Sequence, residues 1–201
     1  DRKSDARFAA VSFTERSAAD LRLKLGRVLT LGLGRESHWV MTIHGLCGAI
    51  LREFPEAAGF DGGERILSES EGQLLWERAC DGIWNEELPV GESGSALDAQ
   101  VGRLLEREGS GGLLKLVARV KGLRGLGLLE RLKEPQAGTD AQALADVAAF
   151  ICERYDRLKA RRGALDFDDL ERGALRVVRD PRARARLKER FDLILVDEFQ
   201  D

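Results

Sequence analysis

Short apolar segments are followed by amphipathic ones at the start of the sequence, and another apolar segment lies near its end. Three of them have the character of β-strands: RFAAVSF ending at Phe13, HWVMTI ending at Ile43 and FDLILVD ending at Asp197. The third is continuously apolar, which is typical of a strand covered on both faces in a parallel sheet. The first two are followed by helical patterns, so their order predicts parallel β-α-β units with right-handed crossovers.

The helix predicted after the first strand has a polar start and one apolar face. Thr14 is placed to cap it, because a threonine hydroxyl can accept a hydrogen bond from a free N–H at a helix start. Its apolar face consists of Ala18, Leu21, Leu25 and Val28. Leu46, Ile50 and Phe54 show the same spacing after the second strand, which predicts a second helix there.

A region of helical pattern separates these units from the third strand. It follows the break PEAAGFDGGE, which is rich in Gly and Pro, and it contains no convincing strand. We therefore predict an α/β fold whose parallel sheet, residues 1–58 and 164–201, is interrupted by an all-helical subdomain at 59–163. Trp76 and Trp84 lie in an amphipathic helix of the insertion, where core packing and stacking on nucleic-acid bases are both open.

Composition places the chain among globular proteins. It has 201 residues, of which 43% are hydrophobic and 33% charged, and no apolar run reaches membrane-span length. No secretory signal is visible, which says little about a longer protein of which this chain is a piece, and the expected compartment is cytoplasmic. The net charge of −3 argues neither for nor against nucleic acid, since a local basic surface is compatible with an acidic total. Cys47, Cys80 and Cys152 are scattered, so we expect reduced thiols without a disulfide or zinc site.

The segment LILVDEFQD suggests chemistry at the end of the third strand. In an open parallel sheet, ligands bind beyond the carboxyl ends of the strands, where Asp197 and Glu198 would lie. Neighbouring carboxylates repel each other unless a cation is supplied, and Mg²⁺ bound to nucleotide phosphates is such a cation. Glu198 could then orient and deprotonate a water that attacks a phosphoryl group. The alternative is an acidic strand end that faces solvent.

Four segments together resemble one helicase family. DEFQD, which includes Gln200 and Asp201, resembles motif II of the superfamily 1 helicases of the UvrD/RecB kind, and VSFTERSAADLRLKL resembles their motif Ia. TIHGLCGAILREFPEAAGF resembles the next motif, and LDFDDL resembles the segment that returns the chain from the helical insertion. The four occur in the family's order, and TIHG followed by LREFPEAAG looks closer to the AddA/RecB branch, which processes double-strand-break ends.

The resemblance implies a partial P-loop NTPase (RecA-like) domain that uses ATP and Mg²⁺. It implies that Asp197 holds Mg²⁺ on ATP, that Glu198 is the general base for the attacking water, and that Gln200 senses the γ-phosphate. The same comparison implies DNA contacts for four residues: Phe13, Thr14, Thr42 and His44.

Each implied DNA contact has a structural alternative. Thr14 and Thr42 also fit as helix N-caps, a role compatible with binding phosphate. His44 fits as a structural histidine, and Phe13 fits as a core residue at a strand end. Two further segments also have more than one interpretation. The acids of LDFDDL suit a helix N-terminus, and the basic run from Arg179 to Arg190 suits either a solvated helix face or a phosphate backbone.

One motif of the family is missing from the sequence. A P-loop needs Gly-Lys-Ser/Thr, and no Lys in the chain follows a Gly. The resemblance places the P-loop before Asp1 and the later motifs after Asp201, and the chain does not begin with Met, so we expect a piece of a longer protein. This piece alone is expected neither to hydrolyse ATP nor to unwind DNA.

The longer protein is expected to be an ATP-dependent 3′–5′ DNA helicase of double-strand-break repair and recombination. Its expected partners are single-stranded DNA, duplex ends, a second motor domain and a nuclease subunit of an AddAB/RecBCD-like complex. Two other classes are open. One is a non-catalytic relative that binds DNA or protein, and the other is a metal-dependent nuclease that uses Asp197, Glu198 and Asp201.

Overall fold

Three short parallel strands form one sheet in the order β2-β1-β5. They are β1 (Phe8–Ser12), β2 (Trp39–Thr42) and β5 (Leu193–Val196). Ser12 lies opposite Thr42, and Val11 lies opposite Val196. The mixed α/β class and the parallel sheet predicted from the apolar pattern are confirmed.

The computed structural model describes residues 7–28, 38–85, 94–122 and 139–198. The chain divides into two compact units. The sheet unit consists of Asp1–Glu64 and Phe167–Asp201, and the helical unit consists of Arg65–Asp166. Within the described residues, no helix combines the length and the apolar character needed to cross a membrane. The three cysteines are buried and have free thiols.

The sheet unit combines its strands with helices, several of which begin at a side-chain cap. Its described helices are α1 (Glu15–Val28), α2 (Ile43–Glu53), α3 (Pro55–Ala58), α7 (Phe167–Arg179) and α8 (Pro181–Arg190). Local sequence fixes several starts. Asp180 accepts a hydrogen bond from the Ala183 N–H at 2.8 Å, and Pro181 supplies a backbone angle suited to the first helical position. The four apolar residues of β1 are buried and form the centre of the unit's core.

Helices α2 and α7 approach closely at Gly173. A Cβ at this position would lie 2.7 Å from Phe60 Cε2 and 3.0 Å from Leu51 Cδ2, which is closer than carbon atoms pack. Gly173 therefore permits the contact between the two helices. Helix α2 begins directly after β2, and α7 begins at Phe167 within LDFDDL, so the contact joins two of the segments that resemble the helicase motifs.

The helical unit contains β3 (Arg65–Ile66), α4 (Glu69–Asn85), α5 (Gly94–Gly122), α6 (Thr139–Ala160) and β4 (Ala164–Leu165). Gly109 interrupts α5 with a φ of 66°. Trp76 is buried and meets the Tyr155 ring edge-on at 5.5 Å, so core packing is the correct interpretation of this tryptophan. The Trp84 side chain lies outside the described part. The parallel β3–β4 ladder was not predicted, because two-residue strands are too short to show alternation.

The prediction that the third strand is covered on both faces is wrong. The residues of β5 are 40 to 60% exposed, with Ile194 the most exposed and Leu195 the least. Among the described residues, β5 pairs with β1 on one side and with no strand on the other, and no described helix packs extensively against its faces. The continuous apolar run therefore predicted the strand correctly, but it did not predict how far the strand is buried.

Candidate functional site

The three parallel strands end along the same edge of the sheet. The Asp197 N–H donates to the Val11 carbonyl at 2.9 Å, so Asp197 follows β5 beside the end of β1. Neighbouring strands lie about 4.8 Å apart, which separates the ends of β2 and β5 by about 10 Å. We call this region the carboxyl edge; its residues are Phe13, Thr14, Thr42, His44, Asp197 and Glu198.

Asp197 and Glu198 form the acidic end of the edge. Both are exposed, and the Glu198 N–H donates to Asp197 Oδ1 at 3.2 Å. Glu198 has a φ of 56°, the only positive φ among the described non-glycine residues. This conformation is uncommon for a residue with a Cβ and occurs often at functional sites. Gln200 lies outside the described residues.

Two predicted DNA contacts lie at the end of β1. Phe13 is 60% exposed, which excludes the core interpretation and leaves its ring open to solvent. Thr14 caps α1 as predicted, since its hydroxyl oxygen accepts from the Ser17 N–H at 3.1 Å. The same hydroxyl lies 2.9 Å from Ser17 Oγ and donates to it.

Thr42 ends β2 and caps α2. Its Oγ1 accepts from the Gly45 N–H at 3.1 Å and donates to Glu15 Oε1 at 3.3 Å. The residue is buried, in contrast to the exposed Thr14. The N-cap interpretation is therefore correct for both threonines, and the Thr42 hydroxyl hydrogen is already used within the unit.

His44 is held by two side chains of α7. Its Nε2 lies 3.0 Å from Glu171 Oε1, and its ring stacks on Phe167 with centroids 4.4 Å apart and planes 23° apart. An ionised carboxylate only accepts hydrogen bonds, so Nε2 is the donor. Glu171 also adds to the effect of burial on a neighbouring thiol; together they raise the pKa of Cys47 to about 11.

Two residues of this region were missed by sequence reasoning. Glu15 and Glu171 each accept a hydrogen bond from a predicted DNA contact. The spacing of Phe167 and Glu171, four residues apart on a helix, was visible in the sequence and places both on one face of α7. No local sequence feature indicated that this face of α7 contacts His44.

The structure decides part of what the basic run from Arg179 to Arg190 and the acids of LDFDDL do. Arg186 lies over the Phe54 ring at 5.0 Å and Arg190 over the Trp39 ring at 4.7 Å, so these two guanidinium groups pack within the sheet unit. Asp168 and Asp169 occupy the first turn of α7, where acids favour the helix dipole. In the helical unit, Asp166 accepts from the buried Lys159 at 3.0 Å.

The acidic end of the edge has donors that would fit a nucleotide-bound magnesium ion. Across the described ranges, no group of three or more His, Cys, Asp or Glu side chains is arranged to hold a metal ion. Mg²⁺ is commonly held by one or two carboxylates together with substrate phosphates, and an exposed Asp197 at a strand end matches that donor set.

A parallel sheet with polar residues after its strands, interrupted by a helical unit, defines a partial RecA-like α/β domain. The family profile described as UvrD/REP helicase N-terminal domain matches residues 2–201, and the chain belongs to this family. The resemblance to UvrD/RecB-type helicases seen in the sequence is confirmed.

The similar proteins include both DNA helicases and helicase/nuclease subunits by name. The chain is 24% identical over 199 residues to the ATP-dependent DNA helicase PcrA of Leuconostoc citreum, covering 97% of this chain and 23% of that protein. It is 26% identical over 194 residues to the ATP-dependent DNA helicase UvrD1 of Mycobacterium leprae, covering 96% and 22%. A 49-residue segment is 45% identical to an ATP-dependent helicase/nuclease subunit of Alkaliphilus oremlandii, covering 24% and 4%. The chain thus spans less than a quarter of these relatives.

Proposed function

We propose that this chain is part of the first motor domain of an ATP-dependent DNA helicase, together with its helical subdomain (59–163). The observation that supports it is the carboxyl edge, where parallel strands bring candidate DNA contacts and a candidate phosphate-chemistry pair onto one rigid sheet. A rigid sheet of this kind would couple phosphate chemistry to grip on DNA, because movement at one strand end is transmitted to its neighbours.

At the acidic end, Asp197 would hold Mg²⁺ bound to ATP. The bound Mg²⁺ and ATP supply an electrophilic γ-phosphoryl group with its charge partly neutralised. Glu198, whose φ of 56° is unusual for a residue with a Cβ, would orient a water and accept its proton. Gln200 would sense the γ-phosphate.

At the other end of the edge, four residues would contact single-stranded DNA. The exposed ring of Phe13 suits stacking on a base, an interaction worth about 1–3 kcal/mol. The exposed Thr14 hydroxyl suits a phosphate oxygen. Thr42 and His44 lie at the start of α2, where backbone N–H groups favour an anion.

The intact protein would move 3′ to 5′ on single-stranded DNA and act at duplex ends in double-strand-break repair and recombination in the cytoplasm. Its second motor domain would close on ATP, and a nuclease subunit of an AddAB/RecBCD-like complex would accompany it. Support for that complex comes from the similarity to proteins named as helicase/nuclease subunits.

The test is Glu198→Gln in the full-length protein. We expect ATP binding to be retained and DNA-stimulated turnover to fall by about 10²–10⁴, the usual contribution of general acid–base catalysis. Binding is measured with a fluorescent ATP analogue and turnover by phosphate release with oligo(dT). Glu189→Gln, an exposed position on α8, removes the same charge and is expected to leave turnover unchanged.

Unchanged turnover in Glu198→Gln would contradict the role of Glu198. The 201-residue chain alone, which has no Gly-Lys-Ser/Thr sequence, is expected to show no ATP hydrolysis. DNA-stimulated phosphate release by that purified chain would contradict this expectation.

A further inference from the structure

Two donor groups of the carboxyl edge are each bonded to a carboxylate from a different helix. The Thr42 hydroxyl donates to Glu15, the first residue of α1, at 3.3 Å. The His44 Nε2–H donates to Glu171 on α7 at 3.0 Å. Two acidic side chains thus reach the first turn of α2 from separate elements of the same unit.

These bonds use the hydrogen atoms that a phosphate would need. The Thr42 hydroxyl has one hydrogen, and its oxygen already accepts from Gly45, so it can donate to a phosphate only after releasing Glu15. Nε2 of His44 likewise carries one hydrogen, which points to Glu171. A phosphate contact at either residue therefore requires an exchange of acceptors.

Both carboxylates are placed to be exchanged. Glu15 is exposed, and the Glu171 side chain is 55% exposed, so water can solvate either carboxylate once it is released. The His44–Glu171 pair is partly exposed, and exposed pairs of this kind contribute little to stability, which keeps the cost of opening it small. Carboxylate and phosphate oxygens are acceptors of the same kind, and both are favoured at a helix N-terminus.

We propose that Glu15 and Glu171 are affinity-determining residues that occupy the phosphate-binding donors of Thr42 and His44 in the DNA-free protein. An incoming phosphate must displace them and then lies near their negative charge. This lowers the affinity for DNA and speeds its release, as a protein that steps along a strand requires. The inference rests on the proposed DNA contacts of Thr42 and His44.

A positioning role for Glu171 is the competing explanation. It would hold the His44 imidazole in a productive orientation, and its loss would weaken DNA binding. The stacking of Phe167 on the imidazole already fixes the plane of the ring without Glu171. What the stacking does not supply, and Glu171 does, is a negative charge at this edge.

The experiment measures binding of fluorescein-labelled oligo(dT) to the full-length protein by anisotropy, without nucleotide, at low and high salt. Glu15→Gln and Glu171→Gln keep an acceptor oxygen at each position but remove the charge. Each is expected to bind about fivefold more tightly at low salt, the effect of one unit charge a few ångströms away in water. The double variant should gain about twentyfold, and the gains should shrink as salt screens them.

The matched control is Glu56→Gln. Glu56 is an exposed residue of α3 in the same unit, and no described side chain bonds to its carboxylate. It changes the net charge equally and should alter affinity by less than about twofold. Dissociation rates measured by stopped-flow should fall in the Glu15 and Glu171 variants and not in this control.

Three results would overturn the inference. They are unchanged affinity in both single variants, weaker binding in either, and a gain in Glu56→Gln as large as theirs. If Glu171→Gln matched the wild type while Glu171→Ala bound more weakly, the positioning role would be correct instead. Absence of DNA binding by the wild-type protein would contradict the proposed function as well, which separates the two failures.

Discussion

At the scale of single residues, Thr42 shows how one side chain joins three elements. It ends β2, caps α2 through the Gly45 N–H, and bonds to the first residue of α1. Its buried position makes it part of the unit's structure as well as of the carboxyl edge. A substitution of Thr42 would therefore alter stability and DNA binding together. Substitutions of Glu15 and Glu171 test DNA binding separately.

Gly173→Ala is expected to destabilise the protein by about 1–3 kcal/mol, the usual cost of overpacking. The new methyl would lie 2.7 Å from Phe60 Cε2 and 3.0 Å from Leu51 Cδ2, so these side chains would have to shift in a packed contact. Urea unfolding followed by circular dichroism measures the change in the free energy of unfolding.

Gly48→Ala is the matched control on α2. Gly48 is also buried in a helix, but its Cβ would approach nothing closer than the end of the Arg52 side chain at 3.5 Å. It should be neutral or stabilising by up to about 1 kcal/mol, because alanine favours helices over glycine. Equal effects of the two substitutions would show that the close approach at Gly173 does not limit packing.

At the scale of elements, the sequence predicted what local pattern determines. The three strands, the caps at Thr14 and Thr42, and the helix after Pro181 follow from residues within a few positions of each other. The exposure of β5 depends on which strands flank it and which helices cover its faces, and no local pattern contains that information. The bonds of Glu15 and Glu171 join residues 27 and 127 positions apart, so they emerge only when the helices pack.

The pairing of β5 with β1 begins at an ionic link that should respond to acid. The Arg7 N–H donates to Asp192 Oδ2 at 2.8 Å, and this bond, with the Arg7 guanidinium, holds the pKa of Asp192 below its ordinary value. The folded protein therefore binds fewer protons at this site than the unfolded chain. The stabilisation is present above about pH 4 and disappears as the pH falls through the lowered pKa.

Asp192→Asn should lower the urea midpoint at neutral pH, and its difference from the wild type should shrink below about pH 4. Circular dichroism at several pH values measures both. Asp20→Asn on α1 is the control, since Asp20 is exposed and no described residue bonds to its carboxylate. If the two variants had the same midpoint at neutral pH, the Arg7–Asp192 link would not support the strand pairing.

At the scale of the whole molecule, an apolar strand lies at the edge of the sheet formed by the described residues. The four residues of β5 are all 40 to 60% exposed, and unpaired N–H and C=O groups at an edge can recruit strands from other copies. Association through β5 is therefore expected when the 201-residue chain is produced alone.

Ile194→Lys should reduce that association, because a charge on an edge strand opposes pairing with another copy. Ile194 is the most exposed residue of the strand at 60%, so the lysine costs little burial. Light scattering after gel filtration and the soluble fraction after centrifugation measure the effect. Ile194→Val retains the apolar surface and should behave like the wild type, and equal aggregation of the Lys and Val variants would exclude β5 as the contact.

The short β3–β4 ladder has a consequence for how such chains diversify. The Arg65 N–H donates to Gly163 and the Leu67 N–H to Leu165, at 2.9 and 2.8 Å, so the incoming and outgoing segments of the helical unit are fastened together. The residues between them therefore form an insertion whose two ends lie side by side. Such an insertion can be lengthened, shortened or exchanged in evolution while the parallel strands keep their register. Grafting experiments can replace it by cutting the chain at β3 and β4.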